Sequence, residues 1–138
     1  MLFYEIKIKY ARQTGECNPS NVKETYLVEG LTCADAENRL LEEIKPYIFG
    51  DYELVSCKKV NVYEMIQSTD GDMWYKVRVE MIVIGENGSE SRKAVSVLVK
   101  DSTIHDALRH SQEHLNYLDF EIVSITRSQI IDVYHAVN

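Results

Sequence analysis

A chain of 138 residues, 45% hydrophobic and 27% charged, has the length and composition of a folded globular protein, and both exclude intrinsic disorder. Its formal net charge of −7 weighs against partners held through phosphates, whether nucleic acid or an anionic membrane surface. No stretch approaches the ~18 consecutive apolar residues of a membrane span. Glu5, Lys7 and Lys9 break the apolar run that a signal peptide needs, so the expected location is the cytoplasm. Three cysteines without a Cys-x-x-Cys pair fit reduced thiols better than a disulfide framework.

Phe3 to Ala11 alternates, with Tyr4, Ile6, Ile8 and Tyr10 on one face and Phe3, Glu5, Lys7 and Lys9 on the other. This period of two predicts a half-buried strand. Gly15, Asn18, Pro19 and Ser20 mark a polar loop, with Cys17 in it as the thiol expected to label readily, and Glu24–Glu29 predicts a second, antiparallel strand. Thr32-Cys-Ala-Asp35 then supplies an N-cap hydroxyl with a carboxylate in the first turn. Cys33, Ala36, Leu40, Ile44 and Tyr47 form one helical stripe, which Pro46 ends. Tyr52–Val60 predicts a third strand and Val62–Ile66 a short extension.

The second half repeats the order. Thr103, Asp106 and Ala107 answer to Thr32, Asp35 and Ala36 at an offset of 71, and Trp74–Val79 answers to Phe3–Ile8 at the same offset. Phe120–Ser124 answers to Tyr52–Ser56 at 68, and Ile130–Tyr134 echoes the extension. Ile104 and Ile125 stand where the first half has Cys33 and Cys57, so both cysteines read as small buried hydrophobes. The expected fold is α+β: two tandem ββαβ repeats, about 1–66 and 74–138 joined by connector 67–73, packed as one pseudo-twofold domain with helices on an antiparallel sheet.

Four stretches carry a family resemblance: Trp74-Tyr-Lys-Val-Arg-Val, Tyr26-Leu-Val-Glu-Gly with Ala34-Asp-Ala-Glu, Tyr52-Glu-Leu-Val-Ser-Cys-Lys-Lys, and Ile131-Asp-Val-Tyr134. In these the chain resembles an uncharacterised family, a domain of unknown function found in small proteins of gut anaerobic bacteria and their mobile elements and phages. The resemblance implies no activity, cofactor or site residue.

The chemistry-bearing patterns are few. His110-Ser-Gln-Glu-His114 fits an inverted zinc-peptidase signature, with two ligands four apart and Glu113 as base. The first half has Arg39 and Glu43 at the histidine positions, and His110 and His114 fall on a helix flank away from Glu113, so solvated histidines are the expected state. Lys7, Lys9, Lys76 and Arg78 accompany Phe3 and Trp74 on the outer face of the leading strands, a pattern that can bind single-stranded nucleic acid. The acidic balance argues instead for lysines guarding a sheet face. Ile130, Ile131, Val133 and Tyr134, with one charge at Asp132, form a sparsely guarded strand suited to twofold pairing. No enzyme and no cofactor is expected. The expected function is protein association by a small binding or adaptor protein, with itself as a candidate partner.

Overall fold

The computed structural model describes residues 2–13, 15, 18–67 and 71–136. Cys17 lies outside the described residues, as do Ser68, Thr69 and Asp70 of the connector. The chain divides into two compact units, one of residues 1–61 with 129–138 and the other of residues 62–128.

The first unit contains β1 (Leu2–Arg12), β2 (Ser20–Glu29), α1 (Cys33–Ile44), a 3-10 turn (Lys45–Tyr47) and β3 (Ile48–Asn61). The second contains β4 (Glu64–Gln67), β5 (Met73–Ile84), β6 (Glu90–Asp101), α2 (Ile104–His114) and β7 (Phe120–Arg127). The last strand, β8 (Ile130–Tyr134), returns to the first unit. Each unit is a four-stranded sheet with one helix, ordered β3-β1-β2-β8 in the first and β4-β6-β5-β7 in the second.

This overturns the expected architecture. The protein is mostly β, and its halves are not self-contained ββαβ repeats on an antiparallel sheet. Both sheets are mixed: β8 runs parallel to β2, and β4 parallel to β6. The extension that follows the first half's third strand completes the second unit's sheet, and the extension that ends the second half completes the first unit's.

The helix starts follow the sequence. Thr32 Oγ1 accepts the Asp35 amide and Thr103 Oγ1 the Asp106 amide, each at 3.1 Å, with both threonines extended as N-caps require. Asp35 also accepts the Leu31 amide, and that bond, ahead of Arg39, holds its carboxyl below the ordinary range. Ala36, Leu40 and Ile44 pack on Ile6, Ile8, Tyr10, Tyr26 and Val28 to form the first core. Ala107 and Leu115 pack on Val77, Val79, Val97 and Val99 in the second. Among the described residues no helix is long and apolar enough to cross a membrane.

Candidate functional site

β3 is the longest strand, and β1 bonds only one of its sides. Among the described residues its other edge carries no strand, so a row of backbone amides and carbonyls is left for solvent or a partner. Two register shifts interrupt the pairing with β1, opposite Lys7/Ile8 and Tyr10/Ala11. Around them the strand turns large apolar side chains outward: Phe49 is 58% exposed, Tyr52 46% and Val55 39%. Gly50 supplies the positive φ (78°) needed at the start of this stretch.

Tyr52 borders two open grooves. One, of about 640 Å³, is lined by Lys9, Val22, Lys23 and Phe49; the other, of about 680 Å³, by Leu41, Lys45 and Ile48 beside α1. The strand is also charged asymmetrically, with Asp51 and Glu53 early, Lys58 and Lys59 late, and all four exposed.

On β1 and β2, inward of β3 in the same sheet, lies a polar cluster. The Glu24 carboxylate accepts from the Tyr10 hydroxyl, from the Tyr26 hydroxyl at 2.9 Å and from Arg12 at 3.2 Å. Arg12 also lies over the Tyr47 ring at 4.5 Å, and Tyr26 stacks on Tyr134. Burial, then the hydrogen bond to Glu24, raises Tyr10 and Tyr26 above the ordinary phenol range. Burial and Asp132 push Tyr134 up to about 12. The guanidinium fills this aromatic cage from within the chain, so the cluster is structural wiring.

The patterns singled out in the sequence fare differently. His110 Nδ1 is bonded to the carboxylate of Asp101, a buried residue at the end of β6, while His114 and Glu113 stand in solvent. The two histidines gain no third ligand, since the three-donor group found among the described residues is Cys33, Glu37 and Cys57. Phe3 and Trp74 are buried, at 0% and 2% exposure, so neither ring is open to a stacking base. Lys9, Lys76 and Arg78 are exposed and Lys7 half-buried. In β8, Ile130 is buried, Val133 and Tyr134 are half-buried and Ile131 is exposed; one edge of the strand is spent on β2.

The cysteines depart from their sequence reading. Cys33 and Cys57 are half-buried and joined by a disulfide between the first turn of α1 and β3, with Cα atoms 6.4 Å apart. Glu37, one turn along α1 from Cys33, places Oε1 3.3 Å from its sulfur. The signal for this pair was available: both departures from isoleucine occur in the same half of the chain, at positions that the fold brings together.

No curated protein matches the chain. Residues 2–136 match the model of a family described as a domain of unknown function, DUF4494, and the chain belongs to that family.

Proposed function

We propose that this protein is a small, non-enzymatic cytoplasmic binding protein that acts by protein association, and that its first partner is a second copy of itself paired along β3. The observation that carries the reading is the bare edge of β3 with its polarised charge. Twofold pairing of two such edges is antiparallel and sets each acid-bearing half against the other chain's lysine-bearing half. With the axis between Leu54 and Val55, Asp51 faces Lys58; moved one residue along, Glu53 faces Lys58. Opposite charges directly across a pair favour it, and the backbone bonds supply most of the hold. Phe49 and Val55 then lose water from their exposed surface. β8 is the weaker candidate because it has five residues to the fourteen of β3.

Light scattering at micromolar concentration tests this. The expected mass is twice 15.9 kDa, and a mass of 15.9 kDa overturns the reading. Lys58→Glu with Lys59→Glu separates the copies, as does Asp51→Lys with Glu53→Lys. Mixing the two variants restores a heterodimer. Association undisturbed by either charge swap places the contact elsewhere and removes β3 as its site.

A further inference from the structure

Cys33, Glu37 and Cys57 bring three donor atoms within 4.8 Å of one another, all on half-buried residues of the first unit. Two come from one face of α1 at positions i and i+4, and the third from β3 across from it. Two sulfurs and one carboxylate oxygen are a zinc donor set: soft enough to exclude magnesium and calcium, and one ligand short of a closed tetrahedron. We propose that the reduced pair, with Glu37, forms a binding site for a thiophilic divalent cation, with Zn²⁺ the best match and water in the fourth position.

The geometry requires little adjustment. Two thiolates on one zinc sit about 3.8 Å apart, from Zn–S bonds of about 2.3 Å and a tetrahedral angle. Side-chain rotation on backbones whose Cα atoms are 6.4 Å apart can open the sulfurs to that spacing. Cys33 lies in the first turn of α1, where unpaired amides favour a negative sulfur. Glu37 already faces that sulfur at 3.3 Å.

The disulfide and the metal exclude each other, because the S–S bond holds both sulfur donors. Two equivalents of a small-molecule thiol reduce the bridge to two protein thiols and leave as their own disulfide. The metal then displaces one proton from each thiol into solvent. A cytoplasmic setting, as proposed above, keeps the pair in the reduced form.

The test is a cobalt titration of the full chain, reduced and stripped with a chelator. One equivalent is expected to bind with thiolate-to-cobalt charge-transfer absorption and to be displaced by Zn²⁺. The same protein with its disulfide intact is expected to show no such band, which isolates the sulfurs without any substitution. Cys57→Ser abolishes most of the band. Glu37→Gln keeps the band and weakens zinc, measured by competition with a chromophoric chelator, by about tenfold or more. Glu37→Gln and the oxidised wild type keep the question open to refutation even where Cys57→Ser fails to fold. A reduced chain without the band, binding that survives in the disulfide form, or zinc affinity indifferent to Glu37→Gln overturns the site.

Discussion

Reducing the Cys33–Cys57 bridge should destabilise the metal-free protein by an amount that its position sets. The bond joins residues 24 apart, so it closes a loop of about 25 residues in the unfolded chain. The chain-entropy relation gives about 12 cal/mol/K for that loop, or about 3.5 kcal/mol at room temperature. Much of this acts on the unfolded state, where the bridge removes conformations that the reduced chain regains. With a urea dependence of about 2 kcal/mol/M, the midpoint should fall by about 1.7 M on reduction. The assay is urea unfolding followed by circular dichroism, in chelator, with and without reductant, on a Cys17→Ser background that leaves only the bridged pair. Adding Cys57→Ser should abolish the reductant dependence. A reductant effect below about 0.5 kcal/mol, or an equal effect in the Cys57→Ser chain, would refute the reasoning, since neither follows from a bridge that restrains the unfolded state.

Four further outcomes are expected. Glu24→Gln keeps the shape of the carboxylate but removes a charged acceptor from Tyr10, Tyr26 and Arg12, and should cost about 2 kcal/mol in urea unfolding. Tyr10, Tyr26 and Tyr134 are raised in the folded state, so their contribution is fully present below the ordinary phenol range and is lost as pH rises through the folded values. Stability should therefore decline above about pH 10, and Tyr134→Phe should flatten part of that decline; a midpoint that rises with alkaline pH contradicts the assignment. Thr32→Ala and Thr103→Ala should each cost about 1 kcal/mol, with Ser at either position recovering most of it by the same measurement. His110→Ala with His114→Ala should leave the metal content of the purified protein unchanged by elemental analysis, because the three-donor group found among the described residues includes neither histidine.

The local grammar of the chain was readable, and the pairing of its parts was not. Thr32 and Thr103 announce their helices because a cap involves residues three apart, and alternation in β1 and β5 announces strands because the pleat has a period of two. Neither signal reports which strand lies alongside. Alternation placed Phe3 with Glu5, Lys7 and Lys9 on an outer face, yet Phe3 is fully buried and so is Trp74, its counterpart. A face pattern distinguishes two sides of a strand but not whether something covers the second. The cysteines mislead for a related reason. Comparing each singly with an isoleucine suggested a small hydrophobe, whereas the information lay in their joint appearance in one half. The open edge of β3 was equally silent, because an edge is defined by the neighbour it lacks.

The exchange of strands between the units follows from chain geometry. β3 stands at one edge of its sheet, and the place beside β2 lies at the opposite edge, three strand spacings or about 14 Å away. Only Val62 and Tyr63 separate β3 from β4, and the three residue steps from Asn61 to Glu64 reach about 11 Å at most. The strand after β3 therefore cannot reach the place beside β2. A tight hairpin against the outer edge of β3 would need residues that accept positive φ, and Val62-Tyr63 offers no glycine or asparagine. The same limits act on β8, which follows β7 at the edge of the second sheet after only Ser128 and Gln129. Each half thus leaves the place beside its second strand open and carries a short strand that it cannot put there. Sending both strands across fills both places with parallel pairs and buries Ile66 and Ile130. Among the described residues it also leaves the outer edges of β3 and β7 without a partner strand, and β3 is the longer and more charge-polarised of the two.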